Sequence, residues 1–298
     1  MTTAFIALDW GTTSFRAYRV GADGHVQDTI AAPEGILAVK DGAFEAALEK
    51  HIGAWDVSIP VMAAGMITSR QGWIELPYLA CPAGPAELAR SLHRHVTKSG
   101  RTVWFSTGLS TRSPDGIPDV MRSEETQVFG SLELGRSLYV TPGTHSKWIR
   151  VEAGRIAGFS TYMTGEVFAA LRTHTILGRL MADGADDDAA FRRGVEQALK
   201  DPAGFLHRIF SARTLALFNE LPATAIASYL SGQVIGSEVA HAMLRYPQAS
   251  EAVILASPGI GGRYGLALQV AGLRAIMGNP DSIVAGLHSI AEAAGLLT

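Results

Sequence analysis

The chain has 298 residues, of which 47% are hydrophobic and 18% charged, a composition typical of a globular protein with room for two domains. Its formal net charge of -3 argues against general nucleic-acid binding, because affinity for a phosphate backbone depends on clustered Lys and Arg. The single cysteine, Cys81, excludes an intramolecular disulfide and argues against a thiolate-rich metal site. No run approaches the ~20 apolar residues of a membrane span and no signal peptide is recognisable. We therefore expect a cytoplasmic protein without a membrane partner, and a homodimer stays open.

The N-terminal segment predicts a strand, a hydroxyl-rich turn, a second strand, a glycine turn at 21–24 and a third strand. An apolar run at 5–8 ends at Asp9, and Gly11, Thr12 and Thr13 follow it. A carboxylate at the end of a strand can orient hydrated magnesium, and a glycine lets the backbone approach phosphate oxygens. A tight hairpin turn with exposed threonines is the alternative interpretation.

The next elements follow the alternation expected of an α/β protein. In chain order we predict a helix at 42–55, a strand at 59–66, a polar loop at 68–73, a helix at 85–96, a strand at 102–106 and a loop at 108–118. Polar loops at strand ends commonly form the ligand crevice of an open α/β sheet.

Two adjacent glutamates open the following segment. Ser123 predicts a helix N-cap, and Glu124 and Glu125 directly after it would favour the helix dipole. That explanation needs no catalysis. A carboxylate at this place could also act as a general base, so both interpretations stay open at this point.

The middle of the chain repeats the first pattern. Strands are predicted near 139, 148 and 156. The turn between the first two consists of Gly143, Thr144, His145, Ser146 and Lys147. Both turns occupy the same place in a strand–turn–strand unit, so the chain looks internally duplicated and two such turns could hold the phosphates of a nucleotide.

Helices and one further strand complete the chain. We predict helices at 166–179, 188–221 and 225–244, a strand at 253–256, a glycine-rich loop at 257–262 and a helix at 263–271. The glycine-rich loop contains Ser257, Gly259, Gly261 and Gly262. It does not fit the Gly-x-Gly-x-x-Gly order of a dinucleotide site. We interpret this loop in two ways. It could be a surface on which an adenine lies flat, or a plain strand-to-helix turn.

Several common catalytic motifs do not occur in the sequence. No segment has the P-loop order Gly-x-x-x-x-Gly-Lys-Ser/Thr, and neither His-Glu-x-x-His nor Gly-x-Ser-x-Gly is present. P-loop NTPases, zincins and typical serine hydrolases are therefore disfavoured.

Taken together, six strings resemble the sugar kinase, Hsp70 and actin superfamily. They are DWGTT at 9–13, GMITSRQGW at 65–73, MRSEETQ at 121–127, PGTHSKW at 142–148, MTGE at 163–166 and LSG at 230–232. Within that superfamily they are most similar to the 2-dehydro-3-deoxygalactonokinase family, and they span nearly the whole chain.

The resemblance implies an α/β fold of two ribonuclease-H-like (actin-like ATPase) domains with a nucleotide cleft between them. Residues 1–135 would carry the first phosphate loop and most of the sugar-acid site, and residues 136–298 the second phosphate loop and the adenosine loop. ATP and Mg²⁺ are the implied cofactors. The implied reaction transfers the γ-phosphoryl group to the C6 hydroxyl of 2-dehydro-3-deoxy-D-galactonate, in the catabolism of galactonate and galactose.

The resemblance also implies roles for single residues. Asp9 would orient magnesium, and Glu124 is the first candidate for the catalytic base, with Glu125 second. The phosphates would be held by Gly11, Thr12, Thr13, Gly143, Thr144, Ser146 and Lys147. The adenosine would be flanked by Ser257, Gly259, Gly261 and Gly262.

The substrate side chains are inferred from the chemistry of a 2-keto-3-deoxy acid. Its carboxylate and hydroxyls require at least one Arg and several amide or hydroxyl partners. The candidates are Arg16, Arg70, Gln71, Arg122, His145, Thr164 and Glu166. We expect one or two of the three arginines to touch the substrate, and the others to be surface or ion-pair residues. Trp73 and Tyr78 could wall the pocket, although core packing is an equal alternative.

Three other functions stay open on the sequence alone. One is a kinase for a related acid such as 2-dehydro-3-deoxygluconate, which differs at one stereocentre. A second is an exopolyphosphatase-like phosphohydrolase, although a polyphosphate channel would need abundant Lys and Arg and this chain is acidic. The third is a nucleotide-binding regulator without catalytic turnover.

Overall fold

The computed structural model describes residues 3–297, with the side chain of Glu133 left out. Two compact units divide the chain. The first contains the residues up to Gly135, Ile149–Phe159 and the residues from Asn279 onward, and the second contains Arg136–Trp148 and Ser160–Gly278. None of the helices within 3–297 has the length and apolar character that crossing a membrane requires.

Strands and helices alternate along most of the chain. The strands are β1 (Thr3–Trp10), β2 (Phe15–Gly21), β3 (Val26–Ala32), β4 (Val61–Ala64), β5 (Leu79–Ala80), β6 (His93–Val96), β7 (Thr102–Phe105), β8 (Leu109–Arg112), β9 (Pro118–Met121), β10 (Leu138–Thr141), β11 (Ser146–Glu152), β12 (Arg155–Tyr162), β13 (Glu251–Ile254) and β14 (Arg274–Met277). The helices are α1 (Phe44–Ile52), α2 (Pro85–Arg90), α3 (Glu124–Phe129), α4 (Thr164–His174), α5 (Asp188–Lys200), α6 (Phe205–Arg208), α7 (Ser211–Leu217), α8 (Ile226–Arg245), α9 (Pro258–Val270) and α10 (Ile283–Ala293).

The first unit is built on a six-stranded sheet with the order β3-β2-β1-β4-β7-β6. β1 pairs antiparallel with β2 and parallel with β4, so it lies in the interior of the sheet. Its residues 5–8 are fully buried, as expected for an apolar strand covered on both faces. Trp10 closes the strand by packing edge-on against Phe15 in the core of this unit.

A second sheet has five strands in the order β12-β11-β10-β13-β14, of which β10, β13 and β14 lie in the second unit. β13 pairs parallel with both β10 and β14. The same order, with the same central parallel strands, occurs in β3-β2-β1-β4-β7 of the first sheet. The predicted α/β fold and its internal duplication are thereby confirmed at the level of topology.

Two segments after residue 135 belong to the first unit. The second unit is therefore not the contiguous stretch 136–298 that was predicted as the second domain. Ile156 and Ala83 exchange backbone hydrogen bonds of 2.8 and 3.1 Å. At the C-terminal end, α10 packs on α2 and α3. The assignment of separate functions to 1–135 and 136–298 stays a prediction.

Three predicted elements were wrong in their detail. The helix predicted at 85–96 ends at Arg90, and its last residues form β6, which pairs antiparallel with β7. The loop predicted at 108–118 contains β8, which pairs with β5 and β9 and whose Leu109 is buried. The helix predicted at 188–221 is interrupted after Lys200, since Pro202 cannot continue it.

Candidate active site

Asp9 lies near the end of β1, opposite Arg16 of β2. Ser123 Oγ donates a hydrogen bond of 3.4 Å to Asp9 Oδ1. Burial raises the pKa of Asp9 to about 6, against the opposing effects of the Arg16 charge and the Ser123 hydroxyl. Gly65 is required beside this carboxylate, because it has a φ of +100° and a Cβ there would lie 2.8 Å from the Trp10 carbonyl oxygen.

The first hydroxyl-rich turn follows Asp9. The Gly11 amide donates to the Ser14 carbonyl at 2.9 Å, which closes the turn. The carbonyls of Gly11 and Thr12 accept hydrogen bonds from a 3-10 turn at 36–38. The side chains of Thr12 and Thr13 are exposed. This turn therefore presents two hydroxyls on a backbone that is fixed by its hydrogen bonds to the 3-10 turn at 36–38.

Ser123 occupies the N-cap position of α3, but its side chain makes no capping hydrogen bond. The predicted N-cap position of Ser123 is therefore confirmed, although its hydroxyl donates to Asp9 and not to the helix backbone. Its φ of 97° is strained for a residue with a Cβ, and such strain is often found at functional sites. The Ser123 amide donates to both carboxylate oxygens of Glu125, at 2.9 and 3.0 Å.

The two adjacent glutamates have different surroundings. Glu125 is 1% exposed and also accepts a hydrogen bond from the Thr126 hydroxyl. Burial, with the neighbouring charge of Glu124, raises the pKa of Glu125 to about 8. Glu124 is only half-buried and accepts a 2.9 Å hydrogen bond from the Arg122 amide. Glu125 is therefore largely protonated at neutral pH, and Glu124 is the glutamate with access to a ligand.

A cavity of about 630 Å³ in the first unit contains three of the predicted substrate residues, Arg70, Gln71 and Arg122, together with Tyr78. Arg122 is nearly buried and donates to Thr68 Oγ1 at 2.5 Å and to the Leu76 carbonyl at 3.2 Å. Its guanidinium carbon lies 4.4 Å from the centre of the Tyr78 ring. The Arg122 Nε is buried without a hydrogen-bond partner in the part of the chain that the structure describes.

Two other predicted side chains lie elsewhere in the first unit. Arg16 is exposed on β2, where its charge acts on Asp9, and it does not line this cavity. Trp73 stacks on Phe44 and packs edge-on against Phe105 in the core. Of the two aromatic candidates, only Tyr78 lines the cavity.

The second hydroxyl-rich turn begins with three exposed residues, Gly143, Thr144 and His145. Glu166 fixes this end of the turn, since its amide donates to the Thr144 carbonyl at 3.0 Å and its carboxylate lies 2.6 Å from His145 Nε2. Lys147 is nearly buried, with Nζ 3.3 Å from the carbonyl of His145. The exposed part of this turn thus presents backbone and one hydroxyl, where the first turn presents two.

Glu238 of α8 is a site residue that the sequence did not reveal. Its Oε1 accepts hydrogen bonds from Ser146 Oγ and Trp148 Nε1, both at 2.7 Å. Its Oε2 accepts from Tyr264 OH at 2.7 Å and from the Thr164 hydroxyl. Burial raises the pKa of Glu238, and these four hydrogen bonds oppose the rise. The hydroxyls of Ser146 and Thr164 therefore both donate to Glu238, and their predicted contacts with ligands stay a prediction.

The predicted glycine-rich loop at 257–262 is the first part of helix α9. The helix begins at Pro258, directly after Ser257, because proline is well tolerated at the first position of a helix. Gly259 and Gly262 are exposed, and a Cβ on either would meet no atom within 4 Å. Gly261 faces inward, where a Cβ would lie 2.6 Å from the terminal carbon of Met277.

Gly259 and Gly262 line a cavity of about 450 Å³ in the second unit, with Met277 and Arg263. Arg263 pairs with Asp186, and its guanidinium carbon lies 4.9 Å from the centre of the Phe191 ring. The cavity therefore combines bare helix backbone, an apolar side chain and a fixed guanidinium. A flat heteroaromatic group of the size of a purine suits this lining.

The repeated sheet with a hydroxyl-rich turn after its first strand defines a protein of the actin-like ATPase fold, the class that includes sugar kinases. A solved structure of component A of (R)-2-hydroxyglutaryl-CoA dehydratase from Acidaminococcus fermentans has this fold. It matches 97% of the chain with a TM-score of 0.53 at 10% sequence identity, which concerns the fold alone.

The chain belongs to the 2-keto-3-deoxy-galactonokinase family, whose model matches residues 9–290. A protein from Rhizobium meliloti named "Probable 2-dehydro-3-deoxygalactonokinase" is 36% identical, over 98% of the chain and 99% of that protein. The 2-dehydro-3-deoxygalactonokinase of Escherichia coli is 35% identical over the same shares. A crystal structure from Sinorhizobium meliloti, assigned to the same kind of kinase, has a TM-score of 0.91 at 35% identity and covers 97% of this chain and 98% of its own. The family predicted from the sequence is thereby confirmed.

Proposed function

We propose that the protein transfers the γ-phosphoryl group of ATP to the C6 hydroxyl of 2-dehydro-3-deoxy-D-galactonate, giving the 6-phosphate and ADP in galactonate catabolism. Membership of the 2-keto-3-deoxy-galactonokinase family supports this reaction. So do two relatives, 36% and 35% identical over nearly their whole length, that carry the 2-dehydro-3-deoxygalactonokinase name. The single observation that carries the substrate assignment is the 630 Å³ cavity that contains Arg70, Gln71 and Arg122.

The carboxylate of the sugar acid is assigned to Arg70. Arg70 is exposed at the cavity, so both of its guanidinium edges can form a bidentate pair with a carboxylate. The Arg122 guanidinium already donates to Thr68 and to the Leu76 carbonyl, which suits it to holding the wall of the cavity and adding positive charge. The Gln71 amide supplies a donor and an acceptor for the sugar hydroxyls.

The nucleotide is assigned to both hydroxyl-rich turns and to the start of α9. Contacts to the phosphates come from Gly11, Thr12, Thr13, Gly143, Thr144 and Lys147. Gly259 and Gly262 provide the backbone surface for adenosine, because no side chain fills the space above them. His145 and Glu166, which pair with each other, are kept as candidates for the sugar acid or the phosphates.

Magnesium is assigned to Asp9. No cluster of three or more His, Cys, Asp or Glu side chains suited to a metal occurs in the described range 3–297. Mg²⁺ in kinases usually needs only one or two carboxylates, since substrate phosphates and waters complete its coordination. Asp9 fits that requirement, because this half-buried residue supplies one carboxylate next to the first turn. When bound, the ion would neutralise negative charge on the phosphates.

Glu124 is assigned as the base that accepts the proton of the C6 hydroxyl. Phosphoryl transfer depends mainly on alignment and charge neutralisation, with a carboxylate to receive the hydroxyl proton. Glu125 is unsuited to this role, because it is buried and its pKa of about 8 keeps it largely protonated at neutral pH. The backbone hydrogen bond from Arg122 orients the Glu124 carboxylate.

A coupled assay of ADP release tests the proposal. It would compare 2-dehydro-3-deoxy-D-galactonate, 2-dehydro-3-deoxy-D-gluconate, simple aldonic acids and neutral hexoses, each with ATP and Mg²⁺. We expect the highest kcat/KM for the galactonate-derived acid. ATP consumption that needs no acceptor would favour a phosphohydrolase, and tight ATP binding without turnover on any acceptor would favour a regulator. Activity confined to neutral hexoses would refute the substrate assignment.

The cellular setting follows from the cosubstrate. Because the reaction consumes ATP, we place the enzyme in the cytoplasm with a small sugar acid as its partner. A homodimer stays a prediction, and light scattering on the purified protein measures the mass that decides it.

A further inference from the structure

Glu238 connects three segments of the second unit through one buried carboxylate. Ser146 and Trp148 lie on β11, whose first residue, Ser146, also belongs to the second hydroxyl-rich turn. Thr164 is the first residue of α4, and Tyr264 lies on α9. A carboxylate offers about four acceptor positions on its two oxygens, and all of them are used by these four donors.

We propose that Glu238 is a positioning residue that holds the second phosphate turn and the adenosine helix in one geometry, so that its integrity sets the affinity for ATP. This inference rests on the proposed function, since it requires that the turn and the start of α9 bind the nucleotide. Two segments that contact one ligand must keep a fixed spacing, and a displacement of about 1 Å can cost about a hundredfold in rate. Glu238 fixes that spacing because Ser146 and Tyr264 donate to its opposite oxygens.

The side-chain chemistry argues for this role over ordinary packing. Glu238 is 3% exposed, and burying a carboxylate is costly unless hydrogen bonds compensate for the lost water. An apolar residue at this place in α8 would stabilise the core more simply. A buried carboxylate with every acceptor used instead specifies the relative placement of its donors.

The same helix contains a matched control. Gln233 is fully buried and donates to the Arg208 carbonyl, Ser211 Oγ and Tyr229 OH. None of these partners lies on the second turn, at the start of α4 or on α9. Replacing Gln233 therefore disturbs a buried polar network of α8 without touching the proposed nucleotide segments.

Four variants separate a positioning role from a merely structural one: Glu238→Met, Glu238→Gln, Tyr264→Phe and Gln233→Met. Met has a similar length and leaves the donors unpaired. Gln keeps one acceptor oxygen for Ser146 and Trp148, and its amide can donate to the hydroxyls of Thr164 and Tyr264 if they reverse. Phe removes a single donor and is small enough a change to leave the fold intact.

Titration calorimetry with a non-hydrolysable ATP analogue, and separately with the sugar acid, gives the readout, with melting temperatures as the measure of folding. We expect the dissociation constant for the ATP analogue to rise about tenfold in Tyr264→Phe and more in Glu238→Met, the size expected for losing hydrogen bonds to a buried charge. Glu238→Gln should restore it to within about threefold of the wild type. Affinity for the sugar acid should change much less than affinity for the ATP analogue in all three, because the cavity at Arg70 lies in the first unit. Gln233→Met should lower the melting temperature and leave both affinities unchanged.

Two results would overturn the inference. One is unchanged affinity for the ATP analogue in folded Tyr264→Phe and Glu238→Met, which refutes the role of Glu238 while the wild type still binds nucleotide. The other is no nucleotide binding by the wild type, which refutes the proposed function and the inference with it.

Discussion

Replacing Glu125 with Gln tests whether the buried glutamate is neutral in the folded protein. At pH 7 a carboxyl group with a pKa of about 8 is largely protonated, so an uncharged amide of the same shape resembles its native state. We therefore expect Glu125→Gln to keep kcat within about tenfold of the wild type, well short of the hundredfold or larger loss typical of removing a general base. We also expect it to change how stability depends on pH.

The size of that change follows from the pKa of Glu125. Its pKa rises from an ordinary 4.5 to about 8 in the folded protein. Because the pKa of Glu125 is higher in the folded than in the unfolded state, the protonated side chain contributes to the free energy of unfolding. This contribution is fully present below pH 4.5, where Glu125 is protonated in both states, and it is lost as the pH rises through the folded pKa. A rise of about 3.5 in pKa corresponds to about 5 kcal/mol, at 1.36 kcal/mol for each pKa unit. Between about pH 5 and 8 the wild type should lose about 1.4 kcal/mol per pH unit relative to the variant.

Urea unfolding of both proteins at half-unit steps from pH 5 to 9 measures this difference. Asp9 and Glu238, whose pKa values are also raised, titrate in both proteins, so their contributions cancel in the comparison. We expect the free energy of unfolding of Glu125→Gln to increase relative to that of the wild type as the pH rises to about 8. Above that pH the difference between the two proteins should stay constant. Parallel curves over the whole range would refute a neutral buried Glu125, and a hundredfold loss of kcat would instead make Glu125 the base.

Three further substitutions test the remaining roles. Glu124→Gln should lower kcat about a hundredfold or more at an unchanged melting temperature, and an initial-rate assay with a normal kcat would exclude Glu124 as the base. Arg70→Gln should raise the KM for the sugar acid about tenfold or more and leave the KM for ATP unchanged, because it removes a charged hydrogen-bond pair; an equal rise of both KM values would contradict the assignment. Gly262→Leu should raise the KM for ATP about tenfold or more, because it places a side chain inside the 450 Å³ cavity. The melting temperature should not fall, since Leu favours helix more than Gly does. An unaltered KM for ATP in that variant would place adenosine elsewhere.

The features that the sequence predicted are those with a local signal. The apolar run before Asp9 and the Gly-Thr turn after it predict a strand and its end without reference to the rest of the chain. The same pattern, an apolar run followed by a Gly-Thr turn, occurs around Gly143 and identified the repeat. The matching strand orders of the two sheets confirm it. Arg70 and Gln71 were predicted on a polar loop, and the structure places both at one cavity with Arg122 but without Arg16.

The features that the sequence did not predict depend on pairing or on long-range contacts. β8 is a strand because Leu109 is buried and its backbone pairs with β5 and β9, although its composition resembles a loop. The start of α9 was not predicted because its glycines disfavour helix. Pro258 could have indicated it, since proline is common at the first position of a helix. Glu238 could have been suspected only as a charged residue between apolar positions of α8, since its four donors come from distant parts of the sequence.

The most direct test of the account is to identify the product formed from ATP and 2-dehydro-3-deoxy-D-galactonate. Phosphorus–proton correlation NMR of the purified product shows which carbon carries the phosphate. We predict one phosphoryl group on the C6 oxygen and one ADP formed for each sugar acid consumed. We also predict that no inorganic phosphate is released. Inorganic phosphate as the main product, or a phosphate on any other hydroxyl, would contradict the account.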